Sequence, residues 1–482
     1  MLYNLKKFSS LTEIQALVAQ KKLTLTELLD YYFRQIEEQK HLNAFNEVFF
    51  YSAKAQAEAV QQKIDTNTAG KLAGMVIGIK DNICYQGHQV TASSRMLDGF
   101  VAPYSATVVE RLLAEDAIII GRLNCDEFAM GGSNETSYFG PVKNALDPER
   151  VSGGSSGGSA VAVQADLCLA ALGTDTGGSV RQPAAFCGVI GLKPTYGRIS
   201  RYGVIAYASS FDQVGTITSS VSDAALLMEV LAGADEHDST VSEKAVPAYT
   251  VRLGESKPKR IAVLKETLES KALDPEIKSS ILQALEAFKS QGHTVEEVSF
   301  DLLDYLVPTY YVLTTAEASS NLSRYDGVHY GYRNAEAKNL NSLYKLSRAE
   351  GFGTEVKRRI LLGTFVLSAG YYDAYYQKAQ KVRRLIREKM EALLAEYDVI
   401  ALPVTPTPAF KIGELIKDPL VMYMEDIFTV LASLAGVPAI AIPLGNNDAG
   451  LPLSLQLMAK HFQEETLLSL SNSFLKSAAH VA

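Results

Sequence analysis

Ser152-Gly153-Gly154-Ser155-Ser156-Gly157-Gly158-Ser159, running into residues 160–165, and Gly173-Thr174-Asp175-Thr176-Gly177-Gly178-Ser179-Val180-Arg181-Gln182-Pro183 are the two stretches on which the reading of this chain turns. Glycine and serine at such density ordinarily mark a flexible linker. Linkers do not run straight into alanine- and valine-rich segments and apolar strands, and both of these stretches do. The surrounding region, residues 131–215, is poor in charge and carries strand-like apolar pieces at 167–172 and 189–192.

Two glycine-loop templates fail against these residues. A phosphate-binding loop ends in Gly-Lys-Ser/Thr, and neither cluster has that ending. Gly153-Gly154-Ser155-Ser156-Gly157 fits the pattern G-x-S-x-G, but a nucleophile elbow follows a strand directly, and residues 145–150 read as a turn. That chemistry also wants a downstream histidine, and none of the seven histidines sits in an informative context.

Outward from this core the chain alternates helical and strand-like segments, which favours a layered α/β sheet with helices on its faces. Ser10/Glu13 and Thr24/Glu27 fit the capping-box pattern at two helix starts. Strands are expected at 47–50, 75–79, 117–120, 260–264, 294–298 and 399–403, and helices at 106–115, 275–291 and 372–397. No Pro/Gly/Ser-rich linker divides the chain, and the polar stretch 235–256 reads as a surface loop. The expectation is one domain over 1–482, with an N-terminal helical region (1–65) wrapped outside and a catalytic core at 75–220.

Composition bounds the partners. With 46 basic and 54 acidic residues in 482, the formal charge is −8, which argues against a broad nucleic-acid-gripping surface. The apolar share of 47% is that of a packed globule. Cys84, Cys125, Cys168 and Cys187 are too few for a disulfide scaffold and lack zinc-site spacing, so no metal is expected. Residues 1–10 hold no apolar core of a signal peptide. The most apolar stretch, 431–444, is broken by Ser433, Gly436, Pro438 and Pro443, so no membrane span is expected and the cytoplasm is the expected location.

Both glycine–serine stretches, with their spacing, resemble the signature of the amidase signature family of serine hydrolases, from Gly153 through Ala184 without a gap. Gln164 departs, standing where the family usually has a small residue. Gly78-Ile79-Lys80-Asp81-Asn82 resembles a third element of the family and supplies its lysine. The resemblance implies an amidase signature fold, a large mixed sheet covered by helices on both faces. It also implies Ser179 as nucleophile, Lys80 as base, and Ser155, behind a cis Gly154–Ser155 peptide, as the proton relay between them. Physical chemistry accounts for these types. A free lysine, with a pKa of about 10.4, is a poor base at neutral pH, but burial disfavours its ammonium form. The backbone N–H groups of Thr176, Gly177, Gly178 and Ser179 can converge on one point, the makings of an oxyanion hole. Asp175 and Arg181 read as braces of this loop.

Three further stretches, EASSNLSRYDG at 317–327, GFGTEVKRRILLGT at 351–364 and YYDAYY at 371–376, resemble one subunit type of the tRNA-dependent amidotransferases, the A type. That resemblance implies hydrolysis of glutamine, with ammonia passed through a tunnel to a second subunit that makes Gln-tRNA(Gln) from Glu-tRNA(Gln). It implies a heterotrimer with subunits B and C, tRNA held by B, and no cofactor in this chain, ATP and Mg²⁺ belonging to the partner. It further implies Arg359 for the α-carboxylate of glutamine and Asp426 for its α-amino group, with Tyr310 nearby; a guanidinium grips a carboxylate through two parallel bonds. The alternatives are a free-standing amidase acting on another small amide and a silent scaffold protein, which would require loss of a catalytic position.

Overall fold

The computed structural model describes residues 8–254 and 257–479. The rest of the N-terminal segment read for a signal peptide (1–7) and the end of the polar stretch (255–256) lie outside the described residues.

Eleven strands form one mixed sheet. In chain order they are β1 (Phe45–Val48), β2 (Val76–Lys80), β3 (Ile118–Leu123), β4 (Ala170–Asp175), β5 (Ile190–Lys193), β6 (Gln213–Thr218), β7 (Arg260–Leu264), β8 (Thr294–Val298), β9 (Val399–Pro403), β10 (Ala439–Asn446) and β11 (Pro452–Ala459). Their spatial order is β1-β3-β2-β4-β6-β5-β10-β11-β9-β7-β8. β2 runs parallel to β3 and β4, and β7 runs parallel to β8 and β9; the other pairings are antiparallel. Every residue of β2, β3, β4, β6, β9 and β11 is buried, so these strands are covered on both faces. This is why Val76-Ile77-Gly78-Ile79 and Ile118-Ile119-Ile120 read as unbroken apolar runs without alternation. At the opposite edge β8 carries Glu296 and Glu297, charges that discourage further strand pairing.

β7, β8 and β9 have the expected bounds. Elsewhere tertiary context moves the elements. The apolar run 167–172 is strand only from Ala170. Leu167 and Leu169 instead hydrogen-bond to Ala162 and Val76 around the turn that follows the helix Gly157–Gln164. The strand then continues through polar Thr174 and Asp175, because β6 pairs with it to the end, Asp175 opposite Gln213. The expected strand 47–50 is displaced to Phe45–Val48, and Phe50 opens a helix reaching Asp65. The region 1–65 is therefore not wholly helical, since β1 forms an edge of the sheet. The expected helix 372–397 is a π-helical turn, Tyr372–Gln377, leading into the α-helix Lys378–Glu396.

Thr24 and Glu27 make the reciprocal capping box. Ser10 accepts the Glu13 N–H, but the Glu13 carboxylate reaches Ser9, so the second half of the box is made one residue earlier. No helix among the described residues is long and apolar enough to cross a membrane.

The parallel pair β2/β4 fixes the position of the site. Ile79 lies opposite Leu172, so both strands end at the same rim with Lys80 and Thr174 beyond the last pair. Carboxyl ends of parallel strands are the usual place for ligand chemistry in such sheets. The helix Gly157–Gln164 packs tightly behind them: a Cβ on Gly158 would stand 2.4 Å from the Asn124 carbonyl and 2.6 Å from that of Ala44. Gly158→Ala is expected to destabilise the protein by about 1–3 kcal/mol, read as a lower urea midpoint with an unchanged slope; an unchanged midpoint would contradict this packing.

Candidate active site

Lys80 is 0% exposed, and its amine is surrounded by hydroxyls. Nζ lies 2.7 Å from Ser155 Oγ, 2.9 Å from Ser156 Oγ and 3.0 Å from Thr174 Oγ1. Asn82 donates to the same Thr174 oxygen at 3.0 Å. Burial pushes the amine down from the ordinary 10.5 to about 8, against the pull of Cys125 and of the carboxylates of Asp126, Asp175 and Asp212. Among the described residues no carboxylate is bonded to it. An amine with three hydroxyl partners can donate to two of them and still accept a proton from the third.

Ser155 is also fully buried and follows a cis Gly154–Ser155 peptide. Its carbonyl accepts the Asp126 N–H at 3.1 Å, and the Gly154 N–H donates to Gln182 Oε1 at 2.8 Å. Asp126 holds the wall behind it by accepting from Asn134 N–H and from the Thr136 hydroxyl. Ser179, at 8% exposure, is the one member of the three with accessible surface. Its carbonyl accepts the Ser156 N–H at 3.1 Å, tying its turn to the Ser155 loop. The hydrogen-bonded link thus runs from Lys80 to Ser155; among the described residues no hydrogen bond joins the Ser155 and Ser179 hydroxyls.

Asp175 and Arg181 pair through two bonds, 2.8 and 2.9 Å, with both side chains fully buried. Burial works against the Asp175 carboxylate, but Arg181 wins and holds it below its ordinary range. Arg181 spends its remaining donors on Thr429 O, Ser433 Oγ and Gln456 Oε1. The Gly178 N–H, one of the expected oxyanion donors, donates to Asp175 Oδ1 at 2.9 Å and so serves as part of this brace. The N–H groups of Thr176, Gly177 and Ser179 have no protein acceptor among the described residues. Glycine is required at 177 by close approach, since a Cβ there would stand 2.4 Å from the Tyr310 hydroxyl.

Tyr310 therefore lies directly against the turn. Arg359 and Asp426 meet on its neighbour, Tyr311: the Tyr311 hydroxyl donates to Asp426 Oδ2 at 2.7 Å, and the Arg359 guanidinium sits 5.2 Å from the Tyr311 ring centre. Arg359 also faces the rings of Tyr207 and Tyr423, and bonds the Tyr207 hydroxyl and Glu355 at 2.8 Å each. Burial raises the Asp426 carboxyl to about 6, opposed by the Tyr311 bond and Arg359. Thr429 Oγ1 donates to the Asp426 carbonyl and packs on Gly178, bringing Asp426 within two contacts of Ser179. A cavity of about 270 Å³ opens beside Arg359, lined also by Glu127, Gly132, Glu355, Met422 and Tyr423. It is a small-ligand volume. Lys80, Ser155 and Ser179 are not among its lining residues. Gln182 bridges the two, donating to Gly132 O and accepting from Gly154 N–H.

Sequence reasoning missed Ser156 and Thr174, which complete the hydroxyl cage, and Tyr207, Tyr311, Glu355 and Tyr423, which orient Arg359. The first two stand inside the quoted stretches, where their hydroxyls are a usable signal. The tyrosines come from distant segments, and nothing local marks them. Gln164 anchors the loop before the first glycine cluster, bonding Ala145 N–H and Asn144 Oδ1.

Known proteins define the class. The amidase family model matches residues 27–468, and the chain belongs to that family. A crystal structure of an amidase superposes with a TM-score of 0.82 at 28% identity, covering 97% of this chain and 99% of the other. The nearer kinship is more particular. The A-subunit of glutamyl-tRNA(Gln) amidotransferase from Koribacter versatilis is 50% identical over 469 residues, 96% of this chain and 97% of that protein. The crystal structure of the A-subunit of that name from Thermotoga maritima matches with a TM-score of 0.76 at 40% identity, covering 93% of each chain.

Replacing Arg181 by methionine would leave the buried Asp175 without its cation. The expected loss of stability is about 3–5 kcal/mol, measured by chemical denaturation; a loss under about 1 kcal/mol would show that the pair does not brace the turn.

Proposed function

We propose that this chain is the glutaminase subunit of a tRNA-dependent amidotransferase, hydrolysing glutamine and supplying ammonia for the conversion of Glu-tRNA(Gln) to Gln-tRNA(Gln). The observation that carries the chemistry is the buried amine of Lys80 at 2.7 Å from Ser155 Oγ, with no carboxylate bonded to it among the described residues. The names of its relatives support the substrate and the assembly. In this reading the chain is one catalytic domain in a heterotrimer with subunits B and C, tRNA is held by B, ATP and Mg²⁺ are used there, and the work is cytoplasmic.

Neutral Lys80 takes the proton of Ser155 as Ser155 takes that of Ser179, and Ser179 Oγ attacks the carboxamide carbon. The developing oxyanion is received by the free N–H groups of the turn at Thr176, Gly177 and Ser179. The proton returns through Ser155 to the departing nitrogen, and ammonia leaves a glutamyl ester on Ser179. Water, deprotonated by the same relay, then releases glutamate. Arg359 grips the α-carboxylate and Asp426 the α-ammonium, with Tyr310 packed between them and the turn.

Ammonia release from glutamine by the chain with its partner subunits tests the reading. Ser179→Ala should lower it by about 10⁴-fold or more, and Lys80→Ala by about 10²–10⁴-fold; full activity in Ser179→Ala would remove the nucleophile. The pH profile of kcat/KM should climb through a limb near 8, as Lys80 loses its proton. KM for glutamine should rise as pH falls through about 6, where Asp426 gains a proton and its charge is lost to the ammonium. Arg359→Lys should raise KM by about tenfold to a hundredfold with kcat largely kept. Faster partner-independent turnover of a different amide would favour a free-standing amidase instead.

A further inference from the structure

We propose that Asp212 is a positioning residue that locks the oxyanion turn and the substrate-gripping arginine into one unit, holding the first through the Thr176 side chain and the second through Tyr207. The inference rests on the glutaminase reading for the role of Arg359, and on geometry alone for the turn.

Asp212 stands one residue before β6, and Thr176 one residue after β4; the last ladder pair, Asp175 with Gln213, sets the two side by side. Thr176 Oγ1 donates to Asp212 Oδ1 at 2.7 Å. The other carboxylate oxygen accepts the N–H groups of Tyr207 and Ala208 at 2.9 and 3.0 Å. The Asp212 N–H closes the same turn on Ala208 O at 2.9 Å. Tyr207, fixed in this way, accepts from Arg359 at 2.8 Å and places its ring under the guanidinium. All four residues of the bridge, Thr176, Asp212, Tyr207 and Arg359, are buried.

A buried carboxylate without a bonded cation is costly, so its three side-chain hydrogen bonds must each matter. None of the three runs to a remote part of the core. One fixes the side chain of a residue whose own N–H has no protein acceptor among the described residues, and two hold the successive N–H groups of Tyr207 and Ala208, fixing the segment that carries the tyrosine bonded to the guanidinium. Thr176 contributes in two ways: its N–H, without a protein acceptor among the described residues, is left for the oxyanion, and its hydroxyl is the handle by which the turn is held.

The test uses the full chain with its partner subunits and three conservative variants. Thr176→Val keeps the N–H and the shape but removes the handle; kcat should fall about tenfold or more with KM within about twofold. Tyr207→Phe keeps the backbone bond to Asp212 but removes the hydroxyl bonded to the guanidinium; KM should rise about fivefold or more with kcat within about twofold. Asp212→Asn retains an acceptor for the two N–H groups and a partner for the Thr176 hydroxyl, and should keep both parameters within about fivefold, whereas Asp212→Ala should damage both. In the Asp212→Ala background, Thr176→Val should cost nothing further. If it costs there what it costs in the wild type, or if the two single variants fail to divide between kcat and KM, the bridge is not the device proposed. Labelling of Ser179 by a fluorophosphonate probe gives a second readout that needs no glutamine: Thr176→Val should slow it about tenfold, and an unchanged rate would overturn the turn-holding role. A wild-type complex that labels normally yet releases no ammonia from glutamine would defeat the glutaminase reading while leaving this arm intact.

Discussion

The candidate site is organised around an amine kept out of water. Lys80 is fully buried, and among the described residues its amine bonds no carboxylate but three hydroxyl oxygens within 3.0 Å. In water such an amine stays protonated to high pH; here burial moves the balance toward neutrality. That shift requires a wall on every side. The sheet supplies it, since Lys80 ends a strand whose neighbours and covering layers leave no residue of it exposed. Asp175, close enough to pull the amine back toward its protonated form, is paired with Arg181, which offsets part of that pull. A carboxylate bonded to Lys80 would stabilise the ammonium and defeat the arrangement.

The same economy explains where the charges of the substrate region lie. Arg359 and Asp426 are not paired with each other; both lean on Tyr311, and Arg359 is further held by Tyr207 and Glu355. The Glu355 carboxylate takes the Arg359 Nε–H and the Tyr207 hydroxyl takes an Nη1–H, while the aromatic faces of Tyr207, Tyr311 and Tyr423 hold the plane of the guanidinium. Asp426, raised by burial, can gain an ammonium as its counter-charge.

Much of this was legible in the sequence, and the reason is local. Lys80, Ser155 and Ser179 sit in contiguous motifs whose glycines and hydroxyls answer to immediate constraints, and the strands 260–264, 294–298 and 399–403 announce themselves by composition. What escaped depends on the chain returning to one place from far away. That β4 continues through Thr174 and Asp175 is decided by β6, some forty residues on. That Tyr207 and Tyr311 frame Arg359 follows from tertiary packing that no local pattern encodes. The use of Gly178 for bracing is likewise invisible until Asp175 is seen to turn back onto it. Resemblance supplied Arg359 and Asp426; the residues that orient them came from the fold.

Burial lowers this lysine far enough for a working fraction of it to be neutral near physiological pH, and titration of its side chain tests that most directly. In protein carrying ¹³C-labelled lysine, with the Lys80 resonance assigned by its loss in Lys80→Met, the amine should titrate near 8. A midpoint at the ordinary 10.5 would mean that the cage does not shift the amine, and the account of how Ser179 is activated would fall with it.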